Sequence, residues 1–232
     1  MVDGDVESLF SFCEGEWYSV RDLRAVAERI LEKTKSDAVF SAAMSVNDQK
    51  AYPWAKAWME EIFPATRLAA EIGLSDEALF KWTPVGAADV EFDRGTERLR
   101  IQCTTAYAER DGTVAAQGGH LRKLEMKEAN KTGMVWLGGG LNQPRTVDVN
   151  EDREAWRVGI SAAINKKLKP EYLGCRLLIY APRCSFDLVD GDDFRNVVTD
   201  AADRIGRDRW GEIFERLYVV DLWPGKFVEL PA

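Results

Sequence analysis

The chain has 232 residues, 46% of them hydrophobic, a formal net charge of -8, four cysteines and one histidine. That length can bury an ample core, and the acidic balance speaks against a general polyanion binder, which would carry a basic excess. Charges interrupt every apolar run before membrane-spanning length, and Cys13, Cys103, Cys175 and Cys184 form no CxxC pair, so reduced packing cysteines are expected and a structural zinc site is not.

The N-terminal MVDGDVESLF is acidic where a secretory signal would be basic, which predicts a cytoplasmic protein. Residues 1–50 read as an N-terminal helical extension, an appendage or a lid. Ser19 is placed to cap a helix carrying Val20, Leu23, Val26, Ile30 and Leu31 at helical spacing, with Asp22 completing a capping box. A short apolar segment, 37–45, and a polar break at 47–50 follow. Pro53 opens a second helical region through Trp54, Trp58, Ile62 and Phe63. Pro64 marks a kink or restart, and Ala65 to Ile72 runs to a stop at Gly73, with Glu71 at its end.

After a candidate strand at 79–83 comes the stretch with the strongest local signals, AADVEFDRGTERLRIQCTTAY, residues 87–107. Gly95-Thr96 is a two-residue turn with glycine first, as a type II′ hairpin requires. Centring the turn there sets Arg94 against Glu97, Asp93 against Arg98, Glu91 against Arg100 and Asp89 against Gln102. Phe92, Val90 and Ala88 then meet Leu99, Ile101 and Cys103. One face is apolar and the other is a charge ladder, whose cross-strand pairs support the register. Asp89, Gln102 and Thr104 close the polar face at its far end.

Residues 108–150 read as an insertion: a Gly/Ala-rich loop, a helix from His120 to Asn130, and two short strands flanking GGGLNQPR. The glycine run lacks the GxxxxGK[ST] spacing and a helix directly behind it, so it is read as a turn rather than a phosphate loop. Asn150 is placed to cap a helix over 151–168, on which Trp156, Gly159, Ile160, Ala163, Ile164 and Lys167 lie near one another. The closing lysines, Lys166, Lys167 and Lys169, suit the helix dipole. RLLIYA, 176–181, is a near-continuous apolar run expected to be a buried central strand. A helix over 192–205 and a strand over 217–222 complete the chain.

The order helix, strand, hairpin, insertion, helix, buried strand resembles the α-β-β-β-α-β core of the PD-(D/E)XK nuclease superfamily. ADVEF followed by RLRIQCTTA is similar to that superfamily's paired motif, an acid on one strand and (E/D)xK on the next. AWRVGISAAINKKLKPEYLGCRLLIYAP is similar to its following helix and central strand. The resemblance covers roughly Pro53 to Pro182. It implies an α/β fold of restriction-endonuclease-like type over 51–232, with a mixed central sheet flanked by helices. It further implies phosphodiester hydrolysis, magnesium or manganese as cofactor, and DNA or RNA as partner.

Residue by residue, Asp89 matches the metal-ligating strand aspartate. Gln102 stands where the second acid belongs, and can offer a cation its amide oxygen without charge. Thr104 stands where the lysine belongs, and cannot take over that lysine's work. Glu71 is placed like an additional helix acid found in some members, giving Asp89, Gln102 and Glu71 as the candidate metal ligands. Other members relocate a missing acid or lysine to a neighbouring helix, and Glu125, Glu128, Lys123 and Lys166 are the candidates here. His120, at a helix start after Gly-Gly, is a candidate general base or phosphate ligand, with an exposed loop residue as the alternative. Glu91 is read as the partner of Arg100. Two functions stay open: a metal-dependent nuclease using Asp89, Gln102, Thr104 and His120, and a catalytically inactive member serving as a protein- or nucleic-acid-binding module. A polar cross-strand pair on a solvated face is the simpler account of Asp89 and Gln102.

Overall fold

A computed structural model describes residues 9–45, 52–107, 149–181, 191–221 and 226–232. Strand β1 (Trp17–Ser19) leads into helix α1 (Val20–Ser36), followed by α2 (Ala38–Ser45), α3 (Ala55–Ala57), a π turn (Trp58–Ile62) and α4 (Phe63–Glu71). Next come β2 (Leu79–Trp82), β3 (Val90–Asp93) and β4 (Arg98–Thr105). The remainder is α5 (Val149–Lys166), a 3-10 turn (Pro170–Tyr172), β5 (Cys175–Tyr180), α6 (Gly191–Ile205), α7 (Arg207–Gly211), β6 (Phe214–Val220) and β7 (Phe227–Pro231).

The seven strands of the described residues form one sheet in sequence order. Strands β1 to β4 are an antiparallel meander, β4, β5 and β6 run parallel, and β7 returns antiparallel to β6. The architecture is therefore α/β with a mixed sheet. Successive residues of β5 point to opposite faces: Leu178 and Tyr180 join a core with α1, α3 and α4, whereas Leu177 and Ile179 join one with α5, α6 and α7. Burial on both faces explains the unbroken apolar run of this strand. Residues 9–45 share the first of these cores, because Leu23, Val26 and Ile30 of α1 pack with Phe80, Val90 and Phe92, and β1 pairs with β2.

The expected capping box is present. Ser19 Oγ accepts from the Asp22 amide at 3.1 Å, and the Asp22 carboxylate accepts from the Ser19 amide at 3.1 Å. Ser19→Ala is expected to lower stability by about 1 kcal/mol in urea unfolding, and an unchanged midpoint would show that the cap contributes nothing.

Two helix limits differ from expectation, and both matter below. Helix α5 starts at Val149, so Asn150 lies inside its first turn and bonds Arg153 through its side-chain oxygen. The helix also stops at Lys166, so Lys167 belongs to the turn that follows. The helical region around Pro64 is not broken. Proline has no N–H for the carbonyl four residues back, and the backbone ahead of it widens instead, with the Phe63 amide bonding the Trp58 carbonyl across a π turn.

Candidate functional site

The hairpin register is the expected one. Asp93 pairs with Arg98, Phe92 with Leu99, Glu91 with Arg100 and Val90 with Ile101. Gly95 takes φ +84°, and the Arg94 amide bonds the Glu97 carbonyl at 2.9 Å across the turn. Side-chain ion pairs follow for Arg94–Glu97 at 3.7 Å and Arg98–Asp93 at 3.3 Å. Glu91 does not take Arg100 as its partner. Strand β3 lies between β2 and β4, and the Glu91 carboxylate pairs across the other ladder with Lys81 at 3.0 Å.

Asp89 stands just before β3, opposite Gln102, where β4 runs on alone to pair with β5. Its backbone is tied on both sides, its amide to the Ile101 carbonyl at 2.9 Å and its carbonyl to the Thr83 amide at 2.8 Å. The side chain is 14% exposed. A single oxygen, Oδ2, accepts the Gln102 side-chain amide and the Cys103 backbone amide, the latter at 2.7 Å, and faces Lys167 Nζ at 3.9 Å. Burial raises the Asp89 pKa, opposed by the Cys103 amide, Lys167 and Gln102.

Gln102 is 2% exposed. A carboxylate only accepts hydrogen bonds, so the amide nitrogen faces Asp89 and the oxygen turns away. That oxygen, Oε1, is buried without a hydrogen-bond partner among the described residues, a rare and costly condition for a polar atom. Thr104, two residues along the same face of β4, is buried and lies beside Ile179.

Two residues that sequence reasoning missed complete the cluster. Glu61 comes from the π turn, a geometry that recurs at functional sites, and its Oε2 accepts the Trp82 indole N–H at 2.6 Å. Burial pushes its pKa up to about 7, with the charges of Asp89 and Glu60 adding to the rise and the Trp82 bond opposing it. The available signal was Glu61's helical spacing, three residues after buried Trp58 and four before buried Ala65.

Lys167 comes from the turn after α5. Leu168 packs into the core beside Trp156 and Ile164, while Lys167, with its amide bonded to the Ile164 carbonyl at 2.9 Å, sends its ammonium to Asp89. Its side chain is only 16% exposed. Of the lysines considered for relocation, Lys166 is exposed at the helix end, and its neighbour is the one that reaches the strand acid. The available signal was the place of Lys167 three residues after Ile164 and four after Ala163, on the apolar side of the helix pattern.

Glu71 does not join this group. It ends α4 and pairs with Arg67 at 3.2 Å. The residue after it, Ile72, takes a hydrogen bond from Arg94 beside the hairpin turn, at the opposite end of β3 from Asp89. His120, Lys123, Glu125 and Glu128, with the Gly138–Gly140 run, lie outside the described residues.

Magnesium and manganese take hard oxygen ligands, usually including a carboxylate. Asp89 Oδ1, Glu61 Oε1 and the orphaned Gln102 Oε1 have no hydrogen bond to the described residues, so the donor types fit. The set is lean. Among the described residues no group of three or more His, Cys, Asp or Glu side chains is placed to hold a metal. No helix of the described residues is long and apolar enough to cross a membrane. Comparison with protein-family models, curated proteins and solved structures finds no match to this chain.

Proposed function

We propose that this chain is a divalent-metal-dependent nuclease that hydrolyses phosphodiester bonds of DNA or RNA, on a restriction-endonuclease-like core made of α4, β2, β3, β4, α5 and β5. The observation that carries this reading is the approach of Lys167 Nζ to Asp89 Oδ2 at 3.9 Å. It sets a lysine against the strand acid although Thr104 occupies the lysine's place in the motif.

Asp89, Gln102 and Glu61 would hold Mg2+ or Mn2+ through their free oxygens. A bound ion of this kind neutralises charge developing on phosphate and makes a coordinated water easier to ionise. The chain's own groups account for the rest. Lys167 has three N–H donors, and its ammonium, facing Asp89 across 3.9 Å, can hold a phosphate oxygen or orient a water. Glu61, whose pKa burial raises to about 7, would give up its proton as the ion binds. Asp89, braced by the Cys103 amide, keeps Lys167 in place.

The test is cleavage of plasmid and single-stranded DNA or RNA with Mg2+ or Mn2+. Lys167→Met keeps the apolar stem and removes the charge. It is expected to lower the rate by roughly a hundredfold or more without shifting the melting curve much. Cleavage by this variant at the wild-type rate would sink the assignment.

One observation favours a second reading, a catalytically inactive binding module. The position of the second acid holds a neutral glutamine whose amide is already bonded to Asp89. On this reading calorimetric titration with Mn2+ shows no heat that depends on Asp89, and nucleic acid or protein binding survives Lys167→Met.

A further inference from the structure

We propose that Tyr172 is a positioning residue, its ring holding Lys167 and Lys169 as a two-cation grip on successive phosphates of one nucleic-acid strand. This rests on the nuclease reading and names how that site would hold its substrate. Lys167 Nζ lies 5.4 Å and Lys169 Nζ 5.8 Å from the centre of the Tyr172 ring, both within the range at which an aromatic face attracts an ammonium.

The backbone holds the three residues together. The Lys169 amide bonds the Lys167 carbonyl at 2.9 Å, and the Tyr172 amide bonds the Lys169 carbonyl at 3.0 Å, closing the Pro170–Tyr172 turn. The two lysines are not equivalent. Lys167 is largely covered and faces the Asp89 carboxylate, whereas Lys169 is half exposed and among the described residues pairs with the exposed Glu171 at 3.5 Å. Two ammonium groups sharing one ring repel each other. A chain of phosphates would relieve that repulsion, with Lys167 at the reacting phosphate and Lys169 at its neighbour.

The roles separate by experiment. Steady-state kinetics on a fluorescein-labelled single-stranded DNA with Mg2+ would be run for Tyr172→Phe, Tyr172→Leu and Lys169→Gln, with binding of the same DNA followed by anisotropy in EDTA over a range of salt. Tyr172→Phe keeps the ring and is expected to stay within twofold of wild type in kcat and KM. Tyr172→Leu is expected to lower kcat at least tenfold, with folding checked by circular dichroism. Lys169→Gln is expected to raise KM about fivefold at nearly constant kcat, and to flatten the salt dependence of binding by about one phosphate contact. A Tyr172→Leu variant equal to wild type, or a Tyr172→Phe variant as poor as Tyr172→Leu, overturns the grip while wild-type cleavage leaves the nuclease assignment standing. A wild-type chain that neither binds nor cleaves the DNA overturns both.

Discussion

Asp89→Ala is expected to abolish metal-dependent cleavage and to lower stability by about 2–4 kcal/mol. The reason is concentration: one carboxylate oxygen satisfies the Cys103 amide and the Gln102 side chain and faces Lys167. Removing it strands two buried donors and leaves an ammonium of low exposure without its counter-charge. Burial already raises the pKa of this carboxyl, so the loss comes from the orphaned donors rather than from the charge alone. Asp89→Asn separates the two effects. Its carbonyl can still accept the Cys103 amide, so it is expected to recover part of the stability in urea unfolding, yet to stay inactive and to lose Mn2+ binding by calorimetry. Wild-type cleavage by Asp89→Asn would defeat the nuclease assignment. An Asp89→Ala variant with the wild-type unfolding midpoint would show that the donors find other partners.

The second large effect is a pH dependence that originates at Glu61. Its folded pKa is raised from 4.5 to about 7, so between those values the folded state binds more protons than the unfolded one, and stability falls as pH rises. The loss begins near pH 4.5, is complete above about pH 7, and amounts to about 2–3 kcal/mol at this partly buried site. Asp89, raised by burial as well, adds a slope of the same sign, so the informative quantity is the difference between wild type and Glu61→Gln. That difference is expected to be near zero at pH 4.5 and to favour the variant by the full amount at pH 8. Parallel stability curves for the two proteins would remove Glu61 as the source. In the nuclease reading a cation opposite Glu61 reverses the shift. Mn2+ affinity of the wild type should then rise with pH through 7, and that of Glu61→Gln should not.

The match between sequence and structure is best where the determinants are local. Ser19 and Asp22 cap a helix because the two residues reach each other within one turn. Gly95 and the alternation on either side of it set the hairpin, and with it the opposition of Asp89 and Gln102, because a strand has a period of two and a one-residue slip would turn Phe92 and Ile101 to the polar face. The apolar run of β5 from Leu177 to Tyr180 announced its burial on two faces. The three-residue β1 is too short to show a pattern, and neither it nor β7 was foreseen.

Where local signals compete, packing decided. Glu91 had opposite charges available on both neighbouring strands, and only the sheet order brought Lys81 to it. Glu71 looked well placed because helix α4 was known to end there, but the direction in which that helix crosses the sheet carries its end to the hairpin turn. Thus the amino-acid sequence by itself determined the hairpin, its register and the meeting of Asp89 with Gln102, since each depends on neighbours along a single turn. Only the tertiary structure decided that Glu61 and Lys167 complete the cluster. A π turn ahead of Pro64 and the early end of α5 at Lys166 aim those two side chains, and packing of their neighbours against the two faces of one sheet, not spacing along the chain, sets them near Asp89.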